Sequence, residues 1–229
     1  MKIAVSSSSF APLLRRGELT HLEWLEACAS RLDADGAVFA LGDFPRTDAE
    51  YAAQVKKIAT DLGIVPVALT VPGLADPDRP DGERSAAVAL ALAIGAPILR
   101  VTAGPAGELP PQTFVRTATA VKALCKTAKA AHVTVVAAAA PGSVVATVAD
   151  AKHLIKDVDS AWLRYDIAAG DPARAELGPR DRVLVEHVGV DGPPVATGLR
   201  GWLVIEGDAG DDPFATVATA VRAYRRREI

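Results

Sequence analysis

The side chains able to do chemistry in this chain gather at the ends of short apolar runs. Ser6–Ser9 follows the run Lys2–Val5, Asp43 follows Ala37–Leu41, and Thr70 closes Val65–Thr70. Arg100 and Thr102 lie in Ile98–Thr102, and Glu206 closes Trp202–Glu206. Arg164 and Asp166 stand two apart in Trp162–Asp166, so they share one face of an extended run. Glu186 and His187 are neighbours in Val183–Val188 and point to opposite faces. The run Val133–Ala137 continues into Ala138–Ala140 without a polar side chain. Carboxylates and an imidazole are the groups that move protons in general acid–base catalysis. The serines can bind an anion through their amides and hydroxyls. The structural alternative pairs Asp166 and Glu206 with Arg164 or Arg100, and makes His187 a hydrogen-bonded strand residue.

These eight runs are near-continuously hydrophobic, as expected of parallel strands covered on both faces. Helical patterns separate them. Thr20–Glu23 and Thr47–Glu50 fit the capping box, and Thr147–Asp150 is a looser version. Apolar residues then recur at helical spacing: Tyr51, Val55, Ile58 and Leu62; Phe114, Ala118, Val121, Cys125 and Ala128; Ala151, Leu154, Ile155 and Val158. A last helix from Pro213 to about Arg227 carries Phe214, Val217, Val221 and Tyr224, and ends in Arg222, Arg225, Arg226 and Arg227. Those cations suit a helix C-terminus.

Eight strand–helix repeats predict an α/β fold, a single-domain (β/α)8 TIM barrel over residues 1–229. A doubly wound sheet would carry a glycine-rich turn after its first strand, where this chain has Ser6–Ser9. The last third is compressed. Residues 167–182 leave room for one or two helical turns, and Asp191–Leu199, with Gly192, Pro193, Pro194 and Gly198, reads as a loop. The sixth and seventh helices are therefore expected to be reduced or missing. That leaves one side thinly covered and makes a homodimer an open expectation. In such barrels the chemistry sits at the C-terminal ends of the strands.

Composition narrows the function classes. The chain has 229 residues, half of them apolar, and a net charge of −3. No basic excess marks a nucleic-acid partner. Alanine is about a fifth of the chain; it favours helix and lets helices approach what they cover. The two cysteines, Cys28 and Cys125, form no disulfide framework or metal spacing and read as small core residues. No run is long enough for a membrane span. A soluble cytoplasmic protein acting on a small-molecule substrate is the expectation. His21, His132 and His153 lie on helices or at helix ends and are expected in solvent. Asp76–Asp81, with Pro77 and Pro80, reads as a lid or a solvated connection.

The chain resembles the xylose isomerase-like TIM barrels, which include sugar isomerases, sugar and inosose epimerases or dehydratases, and apurinic endonucleases. The resemblance runs over essentially the whole chain. It rests on Met1–Ser6, Gly95–Gly104, Leu163–Asp166 and Gly201–Glu206, in that order and spacing. The resemblance implies a divalent metal (Mn, Mg, Zn or Co) held by Glu, Asp, His and Glu on strands five to eight, with the glutamates moving protons beside a sugar carbonyl. Asp166 and Glu206 match that pattern. The fifth-strand Glu falls at Ala138, with no carboxylate nearby. The seventh strand reads His187-Val188-Gly189 where relatives often read His-x-His, so either His187 or Gly189 falls at the ligand position.

A catalytic divalent site needs about three protein ligands and an open position. Asp166, His187 and Glu206 supply three on a generous count, and two carboxylates remain on a strict one. Loss of one opposed carboxylate should severely impair epimerisation. The expected catalytic residues are Glu206, Asp166 and His187, with Arg100, Ser6 and Arg164 binding substrate. Two functions stay open: a sugar isomerase, epimerase or lyase with a reduced metal site, and a non-catalytic or metal-independent barrel whose mouth, widened at Ala138, takes a less polar ligand.

Overall fold

The computed structural model describes residues 1–102, 112–139, 142–177, 183–192 and 201–226. Eight parallel strands close into a barrel in sequence order. They are β1 (Lys2–Ser6), β2 (Gly36–Ala40), β3 (Val65–Val71), β4 (Ile98–Thr102), β5 (Thr134–Ala138), β6 (Leu163–Ala168), β7 (Val183–Gly189) and β8 (Trp202–Glu206). Seven α-helices occur among the described residues: α1 (Ala11–Arg16), α2 (His21–Ser30), α3 (Ala49–Asp61), α4 (Asp81–Ile94), α5 (Thr113–Ala130), α6 (Val148–Val158) and α7 (Pro213–Arg225). The closing seam pairs Lys2–Val5 with Trp202–Ile205. None of the described helices is long and apolar enough to cross a membrane.

The alternation of each strand builds two cores. Outward residues such as Ile3, Phe39, Leu69, Leu99, Val135 and Leu203 pack under the helices. Inward residues fill the lower barrel: Ala4, Val38, Val67, Ala68, Ile98, Val136, Val185 and Val204. These small and branched side chains are what a closed parallel barrel accommodates. At its base Gly36 leaves space for Trp202; a Cβ there would come within 2.9 Å of that ring and of the Val65 carbonyl.

The helices begin where their caps direct. Thr20 and Glu23 form a reciprocal capping box at α2, and Thr147 and Asp150 do the same at α6. The box expected at Thr47–Glu50 is displaced by one residue. Asp48 is the cap, and its Oδ1 accepts from the Tyr51 amide at 3.0 Å, because a carboxylate satisfies that amide without a partner at the fourth position. Cys28 and Cys125 are buried in the helix layer as expected.

Among the described residues between β6 and β7 the chain forms a 3-10 turn, Pro172–Glu176, and no α-helix, in line with the reduced sixth helix expected there. Residues 193–200, which contain Pro193, Pro194 and Gly198 of the loop expected in place of a seventh helix, lie outside the described residues, as do Arg227 and the turn after β4 at 103–111. Arg225 of the terminal arginine cluster ties α7 to the barrel base. Its guanidinium donates to the Met1 and Asp33 carbonyls and pairs with Asp35 at 2.8 Å.

Candidate active site at the barrel mouth

Strands β4, β6 and β8 bring Arg100, Asp166 and Glu206 into one inward layer, as alternate strands of such a barrel do. Arg100 stands at its centre. Its Nε donates to Asp166 Oδ2 and its Nη1 to Glu206 Oε2, while Nη2 donates to Glu206 Oε1 at 2.8 Å. His187 of β7 completes the chain of bonds, with Nδ1 2.8 Å from Asp166 Oδ1. Asp166 is fully buried and Arg100 nearly so. A guanidinium is suited to this place, since its planar fork matches two carboxylates at once and stays charged when buried.

The electrostatics follow from these contacts. Burial pushes the Asp166 carboxyl up, but the Arg100 charge and the His187 and Arg100 hydrogen bonds outweigh it and hold the group below its usual range. Burial works against the Arg100 cation too, and Asp166 and Glu206 overcome it, so its pKa is raised. His187 shows the same contest. Burial lowers its pKa, and the Asp166 hydrogen bond and charge raise it above the ordinary value. An ionised Asp166 can only accept, so Nδ1 of neutral His187 carries the hydrogen and Nε2 keeps the lone pair.

Above this layer lies a cleft of about 390 Å³ lined by Ser8, Thr70, Arg100, Val101, Thr102, Ala138, Ala139, His187, Glu206 and Gly207. Its size is within the range of about 300–1,000 Å³ common for small-molecule sites. Ala138 and Ala139 form the apolar wall expected above β5. The Thr70 hydroxyl is buried with no partner among the described residues. The Thr102 hydroxyl is engaged, accepting from the Gly73 amide at 2.9 Å.

The sequence-derived candidates fare differently. Asp166, Glu206, His187 and Arg100 come together. Ser6 ends β1 beneath the cleft, where its Oγ lies 2.8 Å from Ser8 Oγ; Ser8 is the serine that lines the space. Arg164 is not brought to the mouth. It pairs in register with Val136 of β5, does not line the cleft, and its Nη1 donates to the Leu163 carbonyl at 2.7 Å. The β7 register places Gly189 opposite Glu206 and His187 opposite Val204. His187 therefore sits two residues deeper than Glu206 and meets Asp166 from the side. Asp43 is committed elsewhere: its carboxylate accepts from Ser7 Oγ and Arg15 Nε, both at 3.1 Å, locking the ends of β1 and β2 together.

The donor set does not fit a divalent ion. Both oxygens of Glu206 face the Arg100 guanidinium, and both oxygens of Asp166 are taken by Arg100 and His187. A dication would have to share the centre of the layer with a fixed positive charge, which repels it. Among the described residues no three His, Cys, Asp or Glu side chains are grouped to grasp an ion. Asp166, His187 and Glu206 thus meet in an arginine-centred network rather than as an open set of ligands.

Of the two readings of the 76–81 segment, a lid or a solvated connection, the contacts favour a connection tied to α4. Buried Arg84 donates to the Leu74 and Asp76 carbonyls, at 3.3 and 2.6 Å, and pairs with Asp81 at 2.6 Å. His21 is not solvated. It is 1% exposed, stacks on Phe44 at 4.5 Å between ring centres, and touches Trp24, Phe39 and Tyr51. Burial lowers its pKa from 6.5 to about 4. Between those values the unfolded chain binds a proton that the folded chain refuses, so His21 removes stability as the pH falls. Relative to a His21→Phe variant, the wild type should lose about 2 kcal/mol between pH 7 and pH 5, read from urea midpoints. Parallel curves for the two proteins would refute that assignment.

No family model matches this sequence, and no curated protein matches it. Solved structures share its fold. The probable 3-DHS dehydratase AsbF involved in petrobactin synthesis from Bacillus anthracis superposes with a TM-score of 0.78 at 12% identity, over 99% of this chain and 100% of that one. A D-allulose 3-epimerase from Methylomonas sp., in complex with D-allulose, gives 0.78 at 12% identity, over 99% and 97%. An AP endonuclease, family 2, from Brucella melitensis gives 0.74 at 17% identity, over 95% and 97%. At these identities the likeness is one of fold.

Proposed function

We propose that the barrel mouth binds a small sugar or related hydroxy-ketone and moves a proton on it without a metal, with His187 Nε2 as the acid–base group. One observation carries this reading. Arg100 engages both carboxylates of the layer, which leaves the Asp166-oriented imidazole as the titratable group with a free nitrogen beside the cleft. A fixed carboxylate behind an imidazole sets its tautomer and stabilises the imidazolium that forms on proton uptake. Two fold neighbours that are sugar 3-epimerases support a carbohydrate ligand.

The number of bases bears on the reaction type. Inversion at a carbon needs a proton removed from one face and returned to the other, hence two groups. Isomerisation between an aldose and a ketose needs one base, which takes the proton from one carbon and returns it to the next on the same face. His187 alone suits the second course. The C–H proton goes to Nε2 and the electron pair of that bond forms an enediolate with its charge on the former carbonyl oxygen; the proton of the neighbouring hydroxyl passes to that oxygen as the new carbonyl forms, and the imidazolium returns its proton to the adjacent carbon. Ser8 and the Thr70 hydroxyl, unpaired among the described residues, line the space where the substrate oxygens would lie.

The test is solvent exchange. Short aldoses, ketoses and hydroxy-ketones are incubated with the protein in deuterated buffer containing EDTA, and deuterium at the carbon beside the carbonyl is followed by NMR. The expected result is protein-dependent, chelator-resistant incorporation. Incorporation that appears only after Mn, Mg, Zn or Co is added would end the metal-free reading. Saturable binding without incorporation would favour the non-catalytic barrel.

A further inference from the structure

We infer that the ligand of this mouth is uncharged, so that a free sugar or hydroxy-ketone is accepted and its phosphate ester is rejected; the inference rests on the proposed reading of the cleft and names its substrate class.

Barrels of this architecture often bind phosphate between the loops after β7 and β8 and a helix N-terminus. Here the helix N-terminus after β8 is already capped by the chain's own acid. Asp212 caps α7, its Oδ1 accepting from the Ala215 amide at 3.0 Å, and Pro213 at the first turn has no amide hydrogen to offer. The helix end that would draw an anion is satisfied and carries a negative charge.

The neighbouring space points the same way. A second cleft of about 680 Å³ adjoins the first, sharing Ser8 and Gly207, and would receive the far end of a longer ligand. Asp208 and Asp211 line it. Arg16, the cation among its described lining residues, forms a two-pronged pair with Glu18 at 2.7 and 3.0 Å. In the first cleft Arg100 is held by two carboxylates, so the inner layer holds no cation in excess of its acids in either protonation state of His187. Arg15 above β1 is spent on Asp43. A phosphate entering this collar would lose water and meet acids. A neutral polyol loses only hydrogen bonds that Ser8, Thr70 and Glu206 can replace.

The experiment compares matched probes by calorimetry at neutral pH: D-fructose against D-fructose 6-phosphate, D-glyceraldehyde against its 3-phosphate, and inorganic phosphate alone. The ester should bind at least about tenfold more weakly than its parent sugar, because the acids of the collar repel its charge. Inorganic phosphate should give no saturable heat. In an Asp208→Lys, Asp211→Lys double variant the ester-to-sugar affinity ratio should rise about tenfold or more, with that rise lost in high salt. Tighter binding of the esters, or saturable phosphate binding, would overturn the inference and leave the sugar reading standing. Failure of every parent sugar and ester to bind would overturn both.

Discussion

An Arg100→Met variant should lose about 3–5 kcal/mol of stability at neutral pH, the usual consequence of removing one partner from a buried ion pair. The methionine approximates the volume, so a cavity is not the main cause. The damage comes from what is left behind. Asp166 is fully buried and keeps only the His187 bond. Glu206, less enclosed, loses both of its charge-assisted hydrogen bonds, which come from Arg100. The pH dependence identifies the mechanism. Without the guanidinium, burial raises the Asp166 pKa above its unfolded value. The variant's relative stability is then greatest in acid and falls as the pH rises through the carboxylate range, the reverse of the wild-type behaviour of this group. The companion test neutralises the acids. Arg100→Met combined with Asp166→Asn and Glu206→Gln should recover most of the loss, because a network stripped of all its charges has none to strand. Urea denaturation followed by circular dichroism reads each step. A loss under about 1 kcal/mol in the single variant would show that the arginine does not hold the mouth together.

That network was half legible in the sequence, and the missing half has a geometric cause. The strands could be read because parallel strands covered on both sides must be apolar throughout; β4 and β8 fall where the runs place them, and β2 shifts by one residue to Gly36–Ala40. Alternation could show that Arg164 and Asp166 share a face. It could not show depth, because the height of a residue in a closed barrel depends on the stagger summed around the ring. The register slip between Tyr165 and Asp166 adds to that uncertainty locally. Arg164 consequently stays out of the cleft while Arg100, on a different strand, reaches the acids. His21 was misplaced for a related reason. A polar first residue of a helix belongs in solvent by local rules, and its burial comes from Phe44 and Tyr51, brought over it by the next strand–helix unit. That no carboxylate stands at Ala138 or beside it is visible directly. The sequence could not show that an existing guanidinium would occupy the arrangement of acids.

His187→Gln should lower the rate of proton exchange on an accepted substrate by about 10²–10⁴-fold, the range for a positioned acid–base group. The amide keeps a polar side chain against Asp166 but cannot take up a proton. Substrate affinity should change far less than turnover, which separates a base from a mere binding contact. The wild-type pH profile carries the sharper signature. Asp166 holds the His187 pKa above its ordinary value, so the imidazole is protonated over more of the neutral range and cannot act as a base there. The exchange rate should therefore rise with pH through that raised pKa. Stability runs the other way. A group whose folded pKa is raised stabilises fully below its unfolded pKa, and that contribution fades as the pH climbs through the folded value. The same deprotonation that switches on the base thus weakens its bond to Asp166. Activity and stability should change in opposite directions across a single titration, and both changes should vanish in the glutamine variant. An exchange rate that is flat across this range, or one that survives in His187→Gln, would move the chemistry to another residue. The link between the two titrations follows from Asp166 serving two cations at once. Each of its oxygens faces one of them, so the carboxylate that anchors Arg100 in the layer also sets the proton affinity of the imidazole at the cleft.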